Sequence, residues 1–316
     1  MDVSVSLPLM PSRPEWAVQF GALAQRTSTR RLWCGQGMTL AQHQVHAYLA
    51  GMGLRLSAGV GVSLMPFQHP LDAALHARSL AAITGEPMIA GFGPGAPALQ
   101  KAVRGSAYEK PLRATREYLQ ILRPLLDGQS HAQEGDYFSF NGGMYQIRSP
   151  RVDLGVGVLR PGMARLAGEV ADVAICWLTP ASYVEDVLVP ALEKGAERAG
   201  RPVPRLVVMV PLAVDRPGRD PVALALTPHV NFPHYQDMLR RAGVTVDEDD
   251  ADVTLRSMIE NEVFLFGSPA AIAKQIDEYR EVGVDEVVLN TTGVALRENG
   301  RAAVTEFEEI LREVRS

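Results

Sequence analysis

Scarcities bound this chain more tightly than its abundances. Cysteine occurs only at Cys34 and Cys176 in 316 residues, so there is neither a disulfide framework nor a CxxC pair. Each lies in an apolar run, LWC and VAIC, and reads as a buried strand thiol. Just four of the 31 basic residues are lysines, and the net charge is -5 with a pI near 5.8. That balance offers no basic face for a phosphate backbone, so no nucleic-acid partner is expected. No run approaches the roughly 18 apolar residues of a membrane span, and the opening MDVSVSLPLM alternates like a strand instead of resembling a signal peptide. A soluble, cytoplasmic protein with no membrane partner is expected. No His, Asp, Glu or Cys cluster has metal-ligand spacing, and no nucleophile elbow or triad is legible. The expectation is therefore no metal, with the reactive atom supplied by an organic cofactor.

What is present is alternation. Strand patterns fall at about 3–9, 31–35, 55–62, 88–92, 154–159, 172–177, 205–213 and 284–289. Helical patterns fit between and after them at about 14–25, 40–51, 70–83, 111–126, 161–170, 181–199, 269–282 and 301–315. Prolines at 70, 111 and 269 open three helices, and Gly200 and Gly283 close two with left-handed caps. Eight strand-helix pairs describe an α/β fold of the (β/α)8 TIM-barrel type, one domain over 1–316. Two stretches interrupt the rhythm. Residues 128–150 read as an inserted hairpin in which YFSF and MYQI flank an Asn141-Gly142-Gly143 turn. Residues 215–261 hold short helical pieces, a His/Pro/aromatic patch and the acidic run DEDDAD, which reads as solvated surface. Loops of this length at the active end of a barrel shape the substrate entrance.

Glycines mark the carboxyl ends of the third and fourth strands, where a barrel keeps its chemistry. Gly59, Val60, Gly61, Val62 and Ser63 end one strand, and Gly91, Gly93 and Gly95 end the next. Missing side chains there let a large flat ligand approach the backbone, with close strand packing as the alternative for the first run and a phosphate cradle as the alternative for the second. Gly157, Leu159, Arg160, Pro161, Gly162 and Met163 join the fifth strand to its helix. Helix N-terminal amides backed by the helix dipole bind phosphate, and Arg160 adds a bidentate cation; a capped surface turn is the alternative. Trp33 and Trp177 end the second and sixth strands and are candidates to stack on a ring or substrate, or to be core. His69 reads as a helix cap, while His43, His46 and His76 lie on helices.

Five stretches together resemble the luciferase-like monooxygenase superfamily, and within it the oxidoreductases that use the deazaflavin coenzyme F420. They are LWCGQ at 32–36, AGVGVSLMPFQHPLDAALHARSLAAITGEPMIAGFGPG at 58–95, KPLRATREYLQILRPLLDG at 110–128, LGVGVLRPGMARLAGEVADVAICWLTPASYVEDVLVPALEKGAERAGRP at 154–202, and FGSPAAIAKQIDEYREVGVDEVVL at 266–289. The segment AQRTSTRR before the second strand is shorter than in many relatives, and Gln36 stands where some F420 enzymes have histidine or aspartate.

The resemblance implies a hydride-transferring reductase using reduced F420, with an FMN-dependent monooxygenase and a cofactor-free binding homologue as alternatives. It implies a bulge or non-proline cis peptide near Val60–Ser63 against the back of the ring, and a coenzyme phosphate near Gly157–Met163. The substrate expected is small or peptidic, with a polarised C=C or C=N such as a dehydroamino acid of secondary metabolism. Candidate proton sources are a water on Gln36, His229 and His234, or bulk solvent. Dimerisation is common in the family, so a homodimer is also admitted.

Overall fold

The alternation resolves into a closed barrel in the computed structural model, which describes residues 1–314. The strands are β1 (Asp2–Ser6), β2 (Leu32–Cys34), β3 (Ala58–Leu64), β4 (Met88–Gly93), β5 (His131–Gln133), β6 (Phe140–Gly142), β7 (Val152–Gly157), β8 (Val173–Trp177), β9 (Arg205–Val214), β10 (Leu265–Gly267) and β11 (Glu286–Asn290). Eight of these pair in parallel in the order β1-β2-β3-β4-β7-β8-β9-β11, and β11 returns to β1. Each matches one of the eight expected strands. The third runs 58–64 instead of 55–62, which carries it further towards the open end.

Period-two alternation sorts the strand residues into two layers. Leu32, Cys34, Ala58, Val60, Ala90, Val208 and Leu289 face outward into the main core beneath the helices. Trp33, Ile89, Val173, Ile175, Val207, Met209 and Val288 fill the barrel interior. The helices begin where proline permits, at Pro70, Pro111, Pro161 and Pro269. Gly200 (φ 62°) and Gly283 (φ 83°) supply the left-handed endings. The run expected at 181–199 forms with a π-helical turn at Val184–Leu188 just ahead of Pro190. Proline cannot donate to the preceding turn and crowds its carbonyl, so a widened turn fits there. The last helix is Gly300–Glu313, and position 315 of its expected span lies outside the described residues.

Two expectations are corrected. The inserted hairpin forms between β5 and β6, not between YFSF and MYQI, so Asn141 and Gly142 belong to a strand and not to the turn. Glu117, inside the helix Pro111–Leu126, explains the choice: its carboxylate accepts the N–H groups of Asp136, Tyr137 and Phe138 at 3.2, 2.8 and 3.2 Å. That clamp fixes the connection at 134–139. The acidic run is more than solvated surface, because the Asp250 carboxylate caps the helix Ala251–Glu260 through the N–H groups of Asp252 and Val253.

β10 went unpredicted. β9 is ten residues long and outruns its barrel neighbours, and the unpaired edge at Leu212–Val214 is covered by Leu265–Gly267. Between them the 215–261 insertion folds into the helices Val222–Val230, Pro233–Arg241 and Ala251–Glu260.

Candidate active site at the barrel mouth

The carboxyl end of β3 is irregular as expected. Its pairing with β4 slips between Val60 and Ser63, and the Gly61–Val62 peptide is cis. The irregularity sends neighbouring residues in different directions. Val60 is buried in the outer core, and Ser63 is buried with its hydroxyl accepting from Gln42 Nε2 at 2.6 Å. Gly61 and Val62 remain partly open at the mouth. The Val62 methyl groups lie where side chains on Gly93 and Gly157 would otherwise approach, 3.0 and 3.4 Å from ideal Cβ positions. Val62, Gly93 and Gly157 thus gather at one point on the rim.

The deeper glycines do something else. Trp33 pairs in register with Gly59, and a Cβ on Gly59 would lie within 3.0 Å of three atoms of the indole ring. Gly91 makes room for Ile175 and for the Val60 carbonyl in the same way. Both glycines are packing positions, and the space they leave is filled by protein. Trp33 itself is fully buried in the barrel interior, with its indole N–H donated to Glu286 Oε1 at 2.7 Å. Glu286 opens β11 at the opposite end of the barrel, where it also receives Arg31 Nε at 3.0 and 2.9 Å and Ser4 Oγ at 2.6 Å. Trp33 therefore does not stand at the mouth. Gly95 does take a left-handed conformation (φ 71°) as the chain leaves β4.

Gln36 is less free than a proton relay requires. Its amide oxygen accepts from Gln42 Nε2 at 3.3 Å, and its Nε2 donates to the Gly37 carbonyl at 3.0 Å. An amide has no titratable proton, so the tip of β2 orients but does not supply an acid. Gln42, which ties this tip to Ser63, was missed from the sequence. It opens the helix Gln42–Gly51, and only the fold brings it beside β3.

The turn after β7 leads directly into a helix. Arg160 precedes the ten-residue helix Pro161–Val170, whose first turn has no side-chain cap. Met163 and Ala164 donate to the Arg160 carbonyl, leaving the Gly162 N–H without an intrahelical partner. Tyr183 Oη donates to the Leu159 carbonyl at 3.0 Å and steadies the turn from behind. The Arg160 side chain is about half exposed and meets Asp237 of the insertion at 3.3 Å. An uncapped helix start with a reachable guanidinium fits a phosphate.

Trp177 ends β8 and is part-buried against the interior cluster that also touches Val62. The insertion closes over it. His229 packs edge-on to Trp177 with ring centroids 5.4 Å apart, Tyr235 packs on His229 at 5.3 Å, and His234 on Tyr235 at 4.6 Å. Burial, with a smaller contribution from nearby His234, lowers His229 to about 4, so its imidazole is neutral at pH 7. Burial and then Arg160 lower His234 as well. Neither histidine is a ready imidazolium acid. The cysteines are equally quiet: both are buried, and burial pushes Cys176 up to about 12 and Cys34 higher.

The family description "luciferase-like monooxygenase" matches residues 4–286. The 5,10-methylenetetrahydromethanopterin reductase of Methanolobus tindarius is 28% identical over 63% of this chain, an alignment spanning 61% of that reductase. The F420-dependent glucose-6-phosphate dehydrogenase of Gordonia bronchialis is 24% identical over 78% of this chain and 77% of its own length. An F420-dependent secondary alcohol dehydrogenase, solved with an F420-acetone adduct, superposes with a TM-score of 0.78 at 17% identity, covering 100% of this chain and 99% of its own. The FMN-bound oxygenating component of 3,6-diketocamphane monooxygenase from Pseudomonas putida superposes with a TM-score of 0.74 at 18% identity, covering 99% of this chain and 97% of its own. With the barrel, the irregular third strand and a family match over most of its length, the chain belongs to the luciferase-like monooxygenase family.

Proposed function

We propose that this protein is an oxidoreductase that uses reduced coenzyme F420 to pass a hydride to a polarised C=C or C=N in a small or peptidic substrate, a dehydroamino acid being one example. The observation that carries the reading is the pairing of two features on one rim. Val62, Gly157 and Trp177 offer a flat apolar wall, and Arg160 with the free Gly162 N–H offers an anion site beside it. A long ligand with a planar ring and a phosphate matches that layout.

When bound, the reduced deazaflavin supplies the hydride. The chain positions and shields. Val62 would bear on one side of the slot, Arg160 and the Gly162 N–H would hold the phosphate, and the helices Val222–Val230 and Pro233–Arg241 would narrow the entrance beside Trp177. Because the nearby histidines are held neutral, the proton that completes the reduction comes through solvent.

The curated relatives named above favour F420, while the FMN-bound structural neighbour keeps FMN as the alternative. Titration of the purified protein with each coenzyme, read by tryptophan fluorescence, separates the two. Saturable quenching by F420 and weak quenching by FMN is expected. Tight FMN binding without F420 binding would refute the assignment, and binding of neither would favour a cofactor-free role.

A further inference from the structure

The indole nitrogen of Trp177 is buried and has no acceptor among the described residues. A buried unpaired donor costs about 1–3 kcal/mol, so its survival at a barrel mouth asks for an explanation. Beside it, His229 makes ring contacts with Trp177 and Tyr235, and its ring nitrogens make no hydrogen bond among the described residues. Other rings complete the wall, with Phe232 5.5 Å from His234 and tilted towards it.

The rings of this wall are themselves uncharged, although Arg160 stands near enough to lower His234. The groups facing His229 are Trp177 from β8 and His234 and Tyr235 from the helix Pro233–Arg241. Burial lowers His229 and His234 and raises Tyr235, which makes all three neutral near pH 7. The nearest cations share one carboxylate, since Asp237 meets Arg160 at 3.3 Å and Arg241 at 3.1 Å. Arg160 belongs to the anion site already described.

We propose that Trp177 Nε1 and His229 together hold the acceptor atom of an uncharged, planar substrate, such as the carbonyl oxygen of an enone or an unsaturated amide. The aromatic wall stacks the flat part, and the two nitrogens fix which end of the conjugated system faces the coenzyme. A phosphorylated substrate finds no partner there, because burying a phosphate among neutral rings carries a large desolvation penalty. The site thereby differs in preference from the relatives named for glucose 6-phosphate. This inference rests on the F420 reading for the purpose of the site, but its test does not require turnover.

The chain has three tryptophans, Trp16, Trp33 and Trp177, so the 1H–15N spectrum of labelled protein shows three indole cross-peaks, and Trp177→Phe identifies one of them. With oxidised F420 present, 2-cyclohexen-1-one is expected to move the Trp177 peak and leave that of Trp33, already bonded to Glu286. Its dissociation constant should rise about tenfold in Trp177→Phe and in His229→Phe, the effect of one lost hydrogen bond. Glucose 6-phosphate should move neither peak. A shift of Trp177 by glucose 6-phosphate overturns the proposal. So does a Trp177 peak that 2-cyclohexen-1-one leaves in place, or unchanged affinity in both variants. If a phenylalanine variant fails to fold, His229→Gln and the wild-type spectrum decide. Failure of F420 itself to bind would count against the coenzyme assignment instead, and the same spectra without F420 would still test the two nitrogens.

Discussion

Replacing Gly59 with alanine separates two meanings of a glycine-rich strand end. If the glycine exists to admit the coenzyme, Gly59→Ala spares the fold and weakens F420 binding; if it exists to seat Trp33, the fold suffers. The new Cβ would fall within 3.0 Å of three indole atoms, closer than real contacts allow. The ring has little room to retreat, because its N–H is tied to Glu286 and its other edge meets the strand at Gly61. Overpacking costs about 1–3 kcal/mol, and the rigid neighbour puts this case near the top of that range. At roughly 2–4 °C per kcal/mol for a chain of comparable size, Tm should fall by about 5–10 °C. In a Trp33→Phe background the smaller ring yields, and adding Gly59→Ala should cost at least about 1 kcal/mol less than in the wild type. Thermal melts of the four proteins give the coupling directly, and F420 titration of the folded variants gives the ligand side. A Gly59→Ala protein with wild-type Tm and lost F420 affinity would refute the packing account.

Other expectations concern charge. Arg160→Gln should raise the F420 dissociation constant about tenfold and reduce its dependence on salt, while Asp237→Asn, which breaks two partly exposed pairs, with Arg160 and Arg241, should leave Tm within about 1 °C; isothermal titration at two ionic strengths checks the first and a melt the second. Glu286→Gln strands the buried Arg31 guanidinium and should cost about 3–5 kcal/mol in chemical denaturation, with F420 affinity retained in the folded protein because the network lies at the far end of the barrel. His229 and His46 are both lowered to about 4 by burial, below the ordinary 6.5, so the unfolded chain binds protons that the folded one does not. Stability should therefore be full above pH 6.5 and fall as pH drops from 6.5 towards 4, and replacing both histidines with glutamine should flatten that slope; a wild-type Tm that is constant or rises between pH 7 and 5 contradicts the shifts.

Most of the scaffold could be read from the sequence because its causes are local. Apolar period-two runs place the strands, and Pro70, Pro111, Pro161 and Pro269 fix helix starts to the residue. The misread features depend on partners distant along the chain. Trp33 looks like a strand-end aromatic until Gly59 and Glu286, 26 and 253 residues away, show where its ring and N–H go. Asn141-Gly142-Gly143 looks like a turn until Glu117 claims the amides of 136–138. At the site, the Arg160 turn was legible because helix starts announce themselves. The His229–Trp177 contact was not, since nothing in the spacing of 52 residues shows that the insertion folds back over β8.

A crystal structure of the complex with F420 tests the central claim most directly. The deazaflavin ring should lie at the barrel mouth with one face against Val62 and the phosphate within hydrogen-bonding distance of Arg160 and the Gly162 N–H. A ring seated elsewhere, or a phosphate that ignores the 159–163 turn, would contradict the account.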